Sequence, residues 1–507
     1  MTTARRAAFA QIQRDADAFN NRVIGSPLYR YQADWVQHAL TIAASASTES
    51  MVVEMSRQSG KNEGSARLEG QLLARFASTG GEMVKTAPTW KPQIVNSKRR
   101  LDSITRSITA RLPFLTFRNT QGYITECGRA SIAFLSADPN ASVVGATASR
   151  LMEVDEAQDV DKAKFDKDFS PMRASTGAPV MYYGTSWTTD TLLERAKLDI
   201  SEGRVKGKIF RVPWDRAAEE NPAYGAYVEG EIARLGKDHP LIRTQYLLLP
   251  LATRGRMLSE QQLRLMVGNH QGADRRTNEP QIVAGLDFAG ADEEAGELSS
   301  LSTGSSRDSV ALRIGRVDWI TIAAGITEPV IRVLATYEWT NVHPTTLHTA
   351  LYDILWNRWR VDRVHCDATG IGATGTAFLA QAINKPGRPE RVAGQTFDSA
   401  WTTHTRLAFQ YVATANGARL IDPTPSGFDP IAVSGQESAP TDDPARHIWW
   451  QRGHAKLEAR PSRRVRAYVP DDEGHDDLLV ADMLMVDAAY NAGMPRIMQT
   501  GPQKFYG

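Results

Sequence analysis

Between Met51 and about Leu249, short apolar, β-branched runs alternate with helix-like segments: "MVVEM", "EMVKTA", "SIAFLSA", "RLMEVDEA", "PVMYYGTS" and "KIFRVPW" are the strand signals. Parallel neighbours need long crossover connections, and amphipathic helices bury their apolar stripes on the sheet they cross. The alternation therefore predicts an α/β fold with a mainly parallel sheet. A chain of 507 residues is too long for one ordinary core, so a second domain is expected.

A second set of strand signals starts at "QIVAGLDFAG". Between the sets, "RGRMLSEQQLRLMVGNHQGADRRTNEP" mixes one short amphipathic piece with polar, Gly- and Pro-containing sequence. The expected division is 1–253, a linker at 254–280, a second domain at 281–495 and a tail at 496–507. In the second domain four strand-like runs, "VAGLDFA", "DSVALRIG", "DWITIAAG" and "VIRVLATYEW", precede a helix near "TTLHTALYDILWNRWR" and the strand "DRVHCD". Strands in series followed by helices and further strands is the order of a ribonuclease-H-like sheet. Residues 289–309 are poor in apolar side chains and read as a mobile insertion.

An apolar content of 42% and a charged content of 23% are those of a soluble globular protein, with no bilayer-spanning run and no signal peptide at "MTTARRAAFAQIQRD". A cytoplasmic location is expected. Cys127 and Cys366 stand far apart, which suggests neither a disulfide framework nor a structural zinc site. A net charge of +1 gives no global attraction to nucleic acid, so DNA binding needs locally sorted charge. "SKRRLDSITRSITAR" and "RPSRRVR" are candidate basic clusters, and each also reads as a solvated face or hairpin.

The stretch "SMVVEMSRQSGKNEGSARLEGQLLARF" has the build of a phosphate-binding loop: a strand, the turn "SRQSGK" containing Ser59, Gly60 and Lys61, and a helix with Leu68, Leu72, Leu73 and Phe76 at helical spacing. Backbone N–H groups leading into a helix N-terminus make a positive cradle, and a lysine reaches the outer phosphates. Against G-x-x-x-x-G-K-S/T, Met55 replaces the first glycine and Asn62 the hydroxyl residue. Asn62 offers Mg²⁺ an amide oxygen, a poorer ligand than a hydroxyl. Taken alone, Ser-Gly-Lys before a helix reads as a structural turn.

The needed partner is "SRLMEVDEAQDV", an apolar strand ending in Asp155 and Glu156 about ninety residues further on. In nucleotide hydrolysis a strand-terminal aspartate holds the Mg²⁺ water shell and the next glutamate polarises the attacking water. Acidic residues that merely cap a helix are the plainer alternative. "LYRYQADWV" precedes the loop, with Gln32 placed to read an adenine edge, and "YYGTSW" follows the acidic strand, with Thr185 and Ser186 near a γ-phosphate.

This ordered set resembles the large terminase subunits of tailed bacteriophages: Tyr31 and Gln32, the deviant loop "SRQSGKN", "TAPTWKP", "LMEVDEAQ" and "GTSW". The resemblance spans about residues 25 to 490 and implies an ASCE-type P-loop ATPase followed by a ribonuclease-H-like nuclease. It gives Arg57 a contact with the γ-phosphate, where a surface turn arginine is the plainer reading. It also implies a metal-binding acidic set: Asp287 in "VAGLDFAG", Asp367 at the end of "DRVHCD", and Asp476 or Asp477 opening the last helix, with Asp477 favoured and His475 beside them. Two-metal hydrolysis needs three or more carboxylates from separate elements to hold two Mg²⁺ or Mn²⁺ ions. Each aspartate alone also reads as a cap or turn residue, Asp476 as a helix N-cap.

The function so implied is ATP-driven packaging of double-stranded DNA into an empty capsid, with endonucleolytic cutting of concatemers. Expected partners are the small terminase subunit, the portal and further copies in a ring that supplies an arginine in trans. The place of action would be the host cytoplasm, away from the mature virion and any membrane. The rivals are a helicase-like ATPase with a non-catalytic DNA-binding second domain, a ribonuclease-H-like recombinase or resolvase, and a structural virion component that binds nucleotide.

Overall fold

The computed structural model describes residues 9–494 except 46, 144, 289–308, 324, 341, 371, 425–427, 437, 461, 462, 471 and 472. The expected insertion at 289–309, apart from Ser309, and the expected tail at 496–507 lie outside the described residues. The chain divides into two compact units, residues 1–229 with 241–252, and residues 230–240 with 253–507. Among the described residues no helix is long and apolar enough to cross a membrane.

In the first unit α1 (Arg30–Ala44) leads to β1 (Ser50–Met55), α2 (Lys61–Phe76), β2 (Gly81–Ala87) and α3 (Val95–Arg111). β3 (Phe117–Thr120), β4 (Ile124–Cys127), β5 (Ala130–Ser136), β6 (Leu151–Val154), β7 (Val180–Gly184), α4 (Leu192–Ser201) and β8 (Gly207–Val212) follow. The sheet runs β3-β4-β5-β2-β6-β7-β1-β8. Six strands, β5 to β8 in that order, are parallel, and β3 and β4 add an antiparallel edge. β1, β6 and β7 are almost wholly buried, as their continuous apolar runs require of strands covered on both faces. Because β7 stands between β1 and β6, the carboxyl ends of three adjacent strands meet, where open α/β sheets bind ligands. This is the expected ASCE arrangement.

The second unit holds a seven-stranded sheet in the order β10-β16-β13-β12-β11-β14-β15. Its strands are β10 (Val267–Gly268), β11 (Ile282–Asp287), β12 (Val310–Ala323), β13 (Ile326–Trp339), β14 (Arg363–Asp367), β15 (Val392–Gln395) and β16 (Leu420–Pro423). β11, β12 and β13 are antiparallel, and β14 and β15 join β11 in parallel. That is the ribonuclease-H-like arrangement expected. Its helices include α5 (Pro344–Tyr352), α6 (Gly372–Ile383), α7 (Thr402–Asn416), α8 (Pro444–His454) and α9 (Asp477–Ala492). α9 lies on the sheet centre so closely that a Cβ on Gly285 would stand 1.9 Å from the Ala481 carbonyl oxygen.

Two sequence expectations change here. "DSVALRIG" and "DWITIAAG" are one strand, β12, because no turn separates them; the ladder absorbs an irregularity at Ile314/Gly315 and carries on. Residues 254–280, expected as a linker, are built into the second unit. β9 (Arg254–Arg256) pairs with β17 (Lys456–Arg460), which pairs with β18 (Arg464–Tyr468), and β10 pairs with β16. Helix Glu260–Leu265 starts from a Ser259/Gln262 capping box. Part of this polar stretch's backbone hydrogen bonding is thus met by strand partners, and the Ala273 N–H also donates to Leu334 O of β13 at 2.9 Å.

Candidate functional sites

The turn after β1 is held from below. Tyr31 donates its hydroxyl to Ser59 O at 2.9 Å and Gln32 Nε2 donates to Gly60 O at 3.1 Å. Gln58 and Gly60 take left-handed φ values of 62° and 92°, and a Cβ on Gly60 would sit 2.3 Å from Gln32 Nε2. Glycine is therefore required by both backbone and neighbour. With its carbonyls tied to α1, the turn feeds into the N-terminus of α2 at Lys61, the positive end of that helix. The Gln32 amide, expected at an adenine edge, is engaged at both ends, since Oε1 also accepts from the Tyr29 N–H at 3.1 Å. Arg57, expected at a γ-phosphate, donates Nη1 to Gln245 Oε1 at 2.7 Å.

Lys61 Nζ lies 2.7 Å from Glu156 Oε1 and 3.6 Å from Asp155 Oδ1, so the loop of β1 and the end of β6 are joined. Asp155 Oδ1 accepts from the Glu156 N–H at 3.0 Å, and Glu156 has a φ of 49°, strain of the kind found at functional sites. Asn62 lies in the first turn of α2. Asp155 and Asn62 supply hard oxygen donors, the set that suits Mg²⁺. Thr185 is buried and its N–H donates to Gln158 Oε1 at 3.2 Å. Ser186, expected beside Thr185 at a γ-phosphate, instead donates to Glu54 Oε1 at 2.6 Å because Glu54 of β1 is buried next to it.

The sequence reading passed over two features of this site. Gln158 of "DEAQ" donates Nε2 to Glu156 Oε2 at 2.7 Å, bridging the acidic turn to Thr185. Beneath the loop, Lys85 and Glu153 pair in register across β2 and β6. Lys85 Nζ lies 2.6 Å from Glu69 Oε1 and donates to Ser65 Oγ at 2.6 Å; Tyr183 donates to Glu153 Oε1 at 2.6 Å. Burial, then the charge of Glu69, pushes the Glu153 carboxyl up to about 8, and burial raises Glu69 as well. A charged residue inside each of two apolar strands was the signal available.

In the second unit the register aligns the acidic residues. Asp287 pairs with Ala311 and Ala311 with Glu338, while Leu286 pairs with Cys366, so Asp367 is level with Asp287. Paired residues share a face of the sheet. That face is α9's, since Gly285 meets Ala481, Arg313 Nε bonds Asp482 at 3.0 Å and His365 Nδ1 bonds Asp487 at 2.7 Å. Asp367, Asp287 and Glu338 form one row, with Asp477 at the start of α9. Glu338 is the member that sequence reasoning missed.

Asp477 Oδ2 accepts from Ser309 N–H and Oγ at 2.9 and 2.7 Å; Ser309 Oγ also lies 2.9 Å from Glu338 Oε1, which His447 Nδ1 contacts at 3.0 Å. Asp367 Oδ1 accepts from the Thr369 N–H at 2.8 Å. Burial raises the carboxyls of Asp367 and Asp477, and burial, then the charge of Asp477, pushes Asp476 up to about 7. Asp476 occupies the N-cap position without bonding the helix through its side chain. Among the described residues no three His, Cys, Asp or Glu side chains converge as a metal site. The row brings hard oxygen donors to one face, a donor chemistry that suits Mg²⁺ or Mn²⁺, but it does not bring their oxygens together.

No protein-family model matches the chain, and no curated protein matches it. Among solved structures it is similar to the large terminase of a thermophilic bacteriophage, at 10% identity over 91% of this chain and 99% of that one, TM-score 0.49. The same phage protein in complex with ATP-γ-S gives 10% identity, 92% and 100% coverage and a TM-score of 0.47. The HK97 bacteriophage large terminase gives 13% identity, 94% and 99% coverage and a TM-score of 0.40. At these scores the likeness assigns no residue a role.

Proposed function

We propose that the chain is the ATP-hydrolysing, DNA-cutting large subunit of a terminase, a motor that moves double-stranded DNA into an empty capsid. The observation that carries this reading is the Lys61 ammonium bonded to Glu156 and close to Asp155 across two strand ends, below a turn with a left-handed glycine. A cation at a helix N-terminus beside two strand-terminal carboxylates suits nucleotide phosphates and an in-line water.

In this reading Ser59, Gly60 and Lys61 receive the phosphates, Arg57 approaches the outermost one, and Gln32 supports the loop and borders the base. Asp155 and Asn62 would hold Mg²⁺, which supplies charge neutralisation on the phosphates. Glu156 accepts the proton of the attacking water once Lys61 turns from its carboxylate to the phosphates. Gln158 then passes the change at Glu156 to Thr185, the first residue after β7. In the second unit Asp287, Asp367 and Asp477, with Asp476 as the less favoured neighbour, would hold one or two divalent ions for phosphodiester cleavage. The small terminase subunit, the portal and a ring of copies in the host cytoplasm complete the assignment.

ATP turnover by the purified chain tests the first half. Lys61→Ala and Glu156→Gln should each abolish it while leaving metal-dependent plasmid cleavage in place, and parental turnover in Glu156→Gln would remove that residue as the base. The second half is tested by Mn²⁺-dependent cleavage beside Asp367→Ala and an EDTA control. A second reading, a DNA-dependent ATPase whose second unit binds without cutting, draws support from the Asp477 carboxylate being bonded to Ser309 and from there being, among the described residues, no three converging ligands. ATP turnover without cleavage would favour it.

A further inference from the structure

The second unit carries a cleft of ≈1320 Å³ that the proposed reactions do not use. Among the described residues Arg275, Arg276, Arg358, Arg360 and Arg391 line it against a single lining carboxylate, Asp362. That carboxylate is committed, accepting from the Ile282 N–H at 2.8 Å and lying 3.1 Å from Arg276 Nη1. Arg276 also donates to the carbonyls of Glu279, Arg360 and Pro280 at 3.0, 2.9 and 3.0 Å. Arg391 donates to Val361 O at 2.9 Å and sits 5.1 Å from the Trp356 ring centroid, with Lys385 at 5.8 Å.

Arg276 and Arg391 thus build the wall and hold the turn at 358–361, in which Arg360 takes a left-handed φ of 45°. The remaining guanidinium groups face outwards. Arg275 and Arg358 are 69% and 52% exposed and pair with surface Asp274 and Asp353 at 3.2 and 2.7 Å. Exposed pairs of this kind are weak and exchange partners readily. Arg360 is exposed, and among the described residues it has no acidic partner. Trp356, the one aromatic ring in the wall among the described residues, is already engaged by two cations, so recognition falls to guanidinium forks, whose geometry matches phosphate oxygens.

β11 and β14 start beside this cleft, at Ile282 and Arg363, and end at Asp287 and Asp367. Five steps of about 3.3 Å separate the cleft from the acidic row by roughly 17 Å. A row of carboxylates repels DNA, so a nuclease needs its sequence-independent grip elsewhere, from arginines on backbone phosphates. We propose that this cleft binds the sugar-phosphate backbone of double-stranded DNA away from the acidic row. The inference rests on the second unit being a DNA nuclease.

The test compares the full-length parent with the triple variant Arg275→Glu/Arg358→Glu/Arg360→Glu and with Arg264→Glu, a charge reversal at a 64% exposed arginine on another helix of the same unit. Binding to a fluorescein-labelled duplex is followed by anisotropy across a salt series in EDTA. The triple variant should bind at least about tenfold more weakly at low salt, with the slope of log affinity against log salt shallower by about 0.9 for each lost phosphate contact. Arg264→Glu should behave as the parent, and the urea melt of the triple variant should match the parent's, which guards against misfolding of the second unit. Equal affinity and slope in parent and triple variant overturn the proposal. If the parent hydrolyses ATP and cuts DNA while the triple variant binds normally, the cleft fails and the packaging reading stands. Weakened binding with no hydrolysis or cleavage by the parent gives the converse.

Discussion

Gln158 ties Glu156 to Thr185: its Nε2 donates to Glu156 Oε2 at 2.7 Å and its Oε1 accepts from the Thr185 N–H at 3.2 Å. One amide side chain therefore fixes both the carboxylate proposed as base and the first residue after β7. Gln158→Ala should lower ATP turnover by roughly tenfold to a hundredfold, the usual cost of a misplaced catalytic group, with nucleotide affinity little changed. Steady-state turnover beside equilibrium binding of a fluorescent nucleotide checks this; parental turnover would mean that the bridge is ornamental to the chemistry.

Gly184 offers an independent probe of the same bridge. A Cβ there would stand 2.4 Å from Gln158 Oε1 and 2.8 Å from Leu193 Cδ2. Gly184→Ala should therefore reproduce the turnover defect of Gln158→Ala, and the double variant should add little, as expected of residues acting through one contact. Additive losses in rate would show that the two residues act separately.

The buried group beneath the loop sets a pH window. Glu153 is held up to about 8 from an ordinary value of 4.5, so the folded state binds its proton more tightly than the unfolded state does. Stability from this group is complete below about 4.5 and is lost as pH rises through about 8. Glu153→Gln, which imitates the protonated acid, should flatten that part of the stability profile in urea melts. Lys85→Met leaves Glu69 buried without its cation and should destabilise by about 3–5 kcal/mol. A Glu153→Gln profile as steep as the parent's would remove Glu153 as its source.

Asp367→Ala should abolish Mn²⁺-dependent cleavage without altering ATP turnover, and EDTA should do the same to the parent. If the acidic row holds metal, Mn²⁺ at a hundred times its dissociation constant should stabilise the second unit by about 2.7 kcal/mol, and Asp367→Ala should lose that gain. Differential scanning fluorimetry with and without Mn²⁺ reads it directly. An equal shift in both proteins would place the metal elsewhere.

The elements legible in sequence were those whose reason is local. The apolar run of β1, the Gly-Lys turn and the spacing of Leu68, Leu72 and Phe76 predict strand, loop and helix without reference to any neighbour, and so do aspartates that end apolar strands. β3 and β4 escaped notice because "FRNT" and "ITEC" are short and half polar, as an antiparallel edge allows. Glu338 and the Lys85/Glu153 pair depend on register, and Gln158 on which strand lies beside β6. Residues 254–280 looked like a linker because β9 and β10 are only three and two residues long, and their pairing partners lie far on in the chain.

A hydroxyl group has a single proton to give. Ser309 Oγ stands between Glu338 Oε1 and Asp477 Oδ2, at 2.9 and 2.7 Å, and can satisfy only one of them as a donor. Each carboxylate has a second neighbour, the Ser309 N–H for Asp477 at 2.9 Å and His447 Nδ1 for Glu338 at 3.0 Å, so one hydroxyl clasps the start of α9 to the end of β13. A cation that settled between those two carboxylates would take over the work of that clasp, and Ser309 would be released from it.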